Sequence, residues 1–212
     1  MVAKWEAFAA CDETERRFYF LSRDAATEHR RLIRTVLAAE NGDSEMSGLI
    51  ISVSGLRGVI GESLTPDVAV RYVTAFANHL HAAKGAGEPR PRIIVGRDGR
   101  SSGVLLQRAV VASLEASGCD CSIADVAATP TIGVLVRDLA ADGAIQITAS
   151  HNPPPYNGMK LFSLTGRVIG AAAGGAIKQA FERGESSWVS VDELGSARML
   201  EDPHLPHLQA VL

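Results

Sequence analysis

The sequence predicts an α/β fold, a sheet with helices on both faces. Two observations carry that expectation. Short apolar runs alternate with longer segments of helical period between residues 49 and 181, the rhythm of strands joined by helices. Cap and turn residues punctuate the rhythm where one element should stop and the next begin.

Residues 49–54 are a short apolar strand. Thr65-Pro66-Asp67 reads as a helix start, with Thr65 as N-cap and proline at the first helical position. The helix that follows carries Val68, Tyr72, Val73, Phe76 and Leu80 at helical spacing. Residues 92–95 are the next strand. Ser101 or Ser102 caps a helix running to about Ser117, and Gly118 is its C-terminal stop. A third strand spans 120–126, a third helix 131–140 and a fourth strand 144–148. Residues 158–163 and 167–169 form a further strand or hairpin, and 171–181 a last helix.

Composition is that of a globular domain, with 46% apolar and 21% charged residues. The net charge of −3 gives no footing for nucleic acid or an anionic membrane surface. No apolar run reaches the ~18 residues of a membrane span. Lys4, Glu6, Asp12, Glu13 and Glu15 leave no apolar stretch for a signal peptide. A cytoplasmic location is expected. Cys11, Cys119 and Cys121 are an odd set without framework spacing, which fits reduced thiols. Cys119 and Cys121 would share one strand face as buried small residues.

Chemistry concentrates in Thr148-Ala149-Ser150-His151-Asn152-Pro153-Pro154-Pro155-Tyr156-Asn157-Gly158-Met159-Lys160. The string places a hydroxyl, an imidazole and an ammonium in one loop after an apolar strand. Reactive loops of α/β folds sit at the carboxyl ends of strands. Three consecutive prolines fix φ and remove donors, so the loop is stiff. Asn152, Asn157 and Gly158 supply turn geometry. A serine held there can carry a phosphoryl group, because a nucleophile must be in place before it reacts. Asp98 and Arg100 read as an ion-paired cap before a helix. The glycine-rich run at 170–175 reads as a flexible helix entry. Asp202, His204 and His207 have metal-like spacing but no fourth ligand, so no metal site is expected there.

The thirteen-residue string closely resembles the phosphoserine loop of the α-D-phosphohexomutases, the family of phosphoglucomutase, phosphomannomutase and phosphoglucosamine mutase. Three further motifs carry the resemblance. Ser54-Gly55-Leu56-Arg57-Gly58 resembles the first active-site loop, Gly96-Arg97-Asp98-Gly99-Arg100-Ser101-Ser102 the second landmark, and Ala128-Thr129-Pro130-Thr131 the segment after the third strand. The match runs in order from about Met46 to Leu212. It implies a three-layer α/β/α domain on a mixed, mainly parallel four-stranded sheet, with one strand antiparallel to the rest. It also implies a division into an extension at 1–45, domain I at 46–184, and a connecting arm at 185–212 that begins a truncated second domain.

The activity the resemblance implies is intramolecular phosphotransfer. Phosphate moves between the 1- and 6-positions of a hexose or hexosamine phosphate through a bisphosphosugar. Ser150 would be the phosphoryl carrier and Arg57 would contact its phosphate. Lys160 would serve as general acid/base or neutralise charge. His151 would orient the loop, bind phosphate or move a proton. Mg²⁺ would be the cofactor, ligated by Ser150 through its phosphate, and a glucose 1,6-bisphosphate-type activator would phosphorylate Ser150. The family's metal run, Asp-Gly-Asp-x-Asp-Arg, is absent from these 212 residues. The sugar motif Glu-x-Ser-Gly-His is mimicked only by Glu45-Met46-Ser47-Gly48, where Leu49 replaces the histidine. With domains II–IV missing in cis, the chain alone is expected not to complete a turnover. The alternative is a non-catalytic remnant or regulatory domain phosphorylated at Ser150.

Overall fold

The computed structural model describes residues 48–212 apart from Ser54 and Ala86. The expectations for residues 1–45 and for Ser54 lie outside the described residues. In chain order the elements are β1 (Ile50–Ser52), β2 (Gly55–Val59), α1 (Pro66–Lys84), β3 (Arg92–Arg97), α2 (Gly103–Ala116), β4 (Asp120–Val126), α3 (Thr129–Asp138), β5 (Gly143–Ile147), β6 (Tyr156–Ser163) and α4 (Ala171–Glu182). A single 3₁₀ turn (Val191–Glu193), β7 (Ala197–Met199) and α5 (Leu205–Val211) complete the described chain.

The strands form one sheet in the order β1-β2-β6-β5-β3-β4-β7. Pairings on the β5-β3-β4-β7 side are parallel, and those on the β1-β2-β6-β5 side are antiparallel. Helices cover both faces, as the strand-helix rhythm predicts. On one face α1 packs against α2 and α4, and on the other α3 packs against the sheet and α5. Strands β3 and β5 are buried on both faces, which is why they read as largely apolar runs, with Gln146 of β5 the polar exception, its Nε2 donating to Ala127 O at 2.9 Å.

Two cores follow from the two-residue period of the strands. Ile94, Ala144 and Phe162 point to the α3 face and pack with Ile132, Leu135 and Val136. Ile93, Val95, Ile145 and Ile147 alternate with them and are fully buried on the side of α1, with Tyr72 and Phe76. Tyr72 meets Phe181 of α4 edge-on, centroids 5.8 Å apart.

The expectation of four strands needs correction, because the sheet has seven. Residues 49–54 hold only β1, and the chain reverses straight into β2, whose Gly-Leu-Arg-Gly-Val sequence hides it among loops. β7 is three exposed residues with no apolar period, so nothing in the sequence announces it. Two strands rather than one, β1 and β6, run against the remaining five.

Cap chemistry also differs. Thr65 makes no side-chain cap bond; its hydroxyl donates to the Asp67 carboxylate. Ser102 occupies the N-cap position of α2 without a capping bond and accepts the Asn157 amide at 2.9 Å instead. α3 begins at Thr129, two residues early, because Pro130 is compatible with a first turn. Gly118 ends the α2 segment with φ +72°, as its position predicts. Cys119 and Cys121 are buried free thiols. His207 Nδ1 lies 2.9 Å from Thr131 Oγ1 and ties α5 to α3. Among the described residues no helix is long and apolar enough to cross a membrane.

Candidate active site

The site is built where β5 ends. Thr148 continues the β5–β6 ladder by donating its amide to Gly158 O at 2.9 Å. The chain then leaves the sheet and returns as β6. Two turns shape the excursion, Asn152 N to Ala149 O at 3.1 Å and Tyr156 N to Pro153 O at 3.0 Å. At the first of these turns Ser150 takes φ +57°. A left-handed backbone costs a residue with a Cβ about 1 kcal/mol, so something must hold it there.

Both peptide groups of Ser150 are held. Its amide donates to Thr148 Oγ1 at 2.9 Å, and that hydroxyl donates to Asp98 Oδ2 at 2.7 Å. Its carbonyl accepts from Arg100 Nη2 at 3.0 Å. The Ser150 side chain, by contrast, is exposed, and its hydroxyl bonds to no described residue.

Arg100 is the centre of this arrangement. Its Nη2 also donates to Asn152 O at 2.7 Å, and its Nη1 donates to Pro153 O at 3.1 Å and Tyr156 O at 3.2 Å. Its Nε donates to Asp98 Oδ2 at 3.1 Å, while its own amide donates to Asp98 Oδ1 at 3.0 Å. A guanidinium has five N–H groups, and here all five have an acceptor. Four of those acceptors are carbonyls of the serine loop. The sequence reading of Asp98 and Arg100 as a helix cap is therefore corrected. The pair is ionic, but it grips a loop some fifty positions downstream rather than the helix beside it.

The cations come from the antiparallel half of the sheet. Arg57 on β2 pairs with Gly158 on β6, and Lys160 on β6 pairs with Gly55 on β2. Cross-strand partners share a face, so Arg57 and Lys160 are diagonal neighbours and each stands opposite a residue without a side chain. The glycines leave room for them. A Cβ at Gly158 would sit 2.9 Å from Arg57 Cβ and 2.3 Å from Leu56 O. Arg57 Nη1 donates to Asn152 Oδ1 at 2.8 Å, which links β2 to the serine loop. Neither Arg57 nor Lys160 has an ion-pair partner among the described residues.

These parts surround a cleft of about 210 Å³. Arg57, Ser150, His151 and Lys160, the four site residues singled out in the sequence, all line it, with Ser52, Thr148 and the apolar Ile50, Leu56 and Met159. An exposed hydroxyl beside an arginine, a lysine and a histidine suits an anion with several oxygens, such as a phosphoryl group. Asn152 and Asn157 shape the loop, as their type predicts. Asn157 is buried, and its Oδ1 accepts from Gly158 N at 2.8 Å. Sequence reasoning missed the roles of Asp98, Arg100 and Thr148. Their only signal was the Gly96-Arg97-Asp98-Gly99-Arg100 string itself; their partner was hidden by chain distance.

Mg²⁺ was an expectation of the resemblance. The cleft lining carries no carboxylate, and no three His, Cys, Asp or Glu side chains converge among the described residues. A hard divalent cation takes about six oxygen ligands. The donor set of this cleft does not fit one by itself.

Fold and site together define an α/β/α domain that presents an anchored serine to a cationic cleft. The model of "Phosphoglucomutase/phosphomannomutase, alpha/beta/alpha domain I" matches residues 49–188, and the chain belongs to that family. A phosphoglucomutase/phosphomannomutase of Thermococcus kodakarensis is 35% identical over 77% of this chain and 35% of its own length. A phosphoglucosamine mutase of Rhodococcus erythropolis is 38% identical over 64% of this chain and 30% of its own length. The crystal structure of a phosphoglucomutase/phosphomannomutase family protein from Burkholderia thailandensis superposes with a TM-score of 0.63 at 28% identity, covering 76% of this chain and 36% of that one. The chain thus spans about a third of the length of the relatives it matches.

Proposed function

We propose that this domain carries a phosphoryl group on Ser150 as part of a phosphohexomutase reaction on a hexose or hexosamine phosphate. The observation that supports this most directly is the contrast at Ser150. Its backbone is tied on both sides while its hydroxyl stands free in a cleft with Arg57, His151 and Lys160. In the loading step Ser150 Oγ attacks a phosphorus of a bisphosphosugar. The Oγ–P bond forms and the P–O bond to the sugar breaks. The bonding electrons leave with the sugar oxygen, which takes up a proton as serine loses its own. Lys160 and His151 are the groups placed to pass that proton, and Arg57 neutralises phosphoryl charge. The reverse step returns the phosphoryl group to the other sugar position.

The test is incubation with glucose 1,6-bisphosphate followed by intact mass and peptide mapping. The expected result is one added phosphate on Ser150, absent in Ser150→Ala with the fold preserved. Phosphate on another residue, or none, would count against the proposal. Lys160→Ala should slow loading by roughly 100-fold or more without changing the thermal midpoint. Loading without onward transfer to a hexose monophosphate would favour the alternative, a phosphorylatable domain that does not turn over.

A further inference from the structure

We propose that Arg100, acting with Asp98 and Thr148, is a positioning residue that sets the Ser150 hydroxyl for phosphoryl transfer without touching the sugar phosphate; this rests on the carrier role proposed above. A phosphate-binding arginine needs N–H groups to spare, and Arg100 has none. Its five donors end on Asp98 and on the carbonyls of Ser150, Asn152, Pro153 and Tyr156. Its side chain is 17% exposed, and Arg100 is not among the residues of the cleft. It therefore acts through the backbone of the loop.

Asp98 closes the circuit. It receives Arg100 on one side and the Thr148 hydroxyl on the other, and Thr148 in turn receives the Ser150 amide. One ion pair thus fixes both peptide groups of a residue in a left-handed conformation. The donor pattern needs a planar fork. A lysine ammonium has three donors on one atom and cannot span four carbonyls and a carboxylate. Small misplacements of a reacting group are worth about 100-fold in rate, so the clamp should appear in rate rather than in affinity.

The experiment measures loading of Ser150 from glucose 1,6-bisphosphate by quenched-flow mass spectrometry. The chains compared are wild type, Arg100→Lys, Thr148→Val and Thr148→Ser. Hydrogen exchange of the 148–157 loop and thermal midpoints are measured on the same samples. The expected result for Arg100→Lys and Thr148→Val is a maximal loading rate reduced roughly 100-fold, an unchanged half-saturating bisphosphate concentration, and faster loop exchange. Thr148→Ser keeps the hydroxyl and should restore the rate. A raised half-saturating concentration with an unchanged maximal rate would make Arg100 a substrate ligand and overturn the positioning role. Loosened exchange with wild-type loading would overturn it too, leaving Arg100 a purely structural residue. A wild-type chain that takes up no phosphate would overturn the carrier reading and the positioning role together, and it differs from the other outcomes because wild type itself is silent.

Discussion

Strain at Ser150 is the sharpest residue-scale feature. The left-handed backbone that aims the hydroxyl outward is one that glycine adopts freely and alanine does not. Ser150→Gly should therefore be more stable than Ser150→Ala by about 1 kcal/mol in urea unfolding. Equal stabilities would mean that the loop relaxes and that the clamp does not enforce the conformation. Gly158 is the converse case. Any side chain there meets Leu56 O and Arg57 Cβ within contact distance, so Gly158→Ala should cost about 2 kcal/mol or more and displace Arg57. Unfolding midpoints together with the Ser150 loading rate check both effects. At this scale the sequence was partly legible. Ser150, His151, Lys160 and Arg57 stand in a recognisable pattern of residue types. Arg100 could not be assigned, because an arginine beside a helix start looks the same whether it caps that helix or reaches across to another loop.

At the scale of elements, periodicity and punctuation located every long element. α2, β4 and α4 lie within about two residues of their expected spans, and α1 starts where Thr65-Pro66 announces it, because their burial patterns repeat over several turns or pleats. Elements that depend on pairing rather than on period were not legible. β2 carries two glycines in five residues, and its strand character comes from the ladder with β6. β7 is held by its pairing with β4 and by Ser196, whose amide donates to Asp120 Oδ1 at 2.9 Å. α3 illustrates how elements are held. Ile132 is fully buried at the centre of the core beneath it, and Ile132→Ala should cost about 3 kcal/mol by chemical denaturation. A loss below about 1 kcal/mol would mean that this face packs loosely.

For the whole molecule, the buried thiols give the fold a pH dependence. Burial, reinforced by the Asp120 and Asp142 carboxylates, pushes Cys119 from its ordinary 9.0 up to about 12. Burial chiefly raises Cys121 as well, and also the Tyr72 phenol. An unfolded chain releases these protons from about pH 9, while the native chain keeps them. The unfolded state then binds fewer protons, so stability falls as pH rises. The contribution is complete below pH 9 and is lost on the way to pH 12. Urea midpoints should be level between pH 7 and 8 and decline from pH 9 to 10.5, with a shallower decline in Cys121→Val. A flat profile through pH 10.5 would contradict the burial of these groups.

Taken by itself, the sequence determined the layer architecture and the family. Both rest on local information, which is the period of apolar residues along each element and the order of short motifs. It also determined which residue types line the cleft. Tertiary structure alone decided how they meet. The two cations stand on strands paired across the sheet, each facing a glycine. The serine is fixed by an arginine fifty residues before it in the chain. Hydrogen-bond partners of that kind are set by strand order and register, and those emerge only when separate segments pack together.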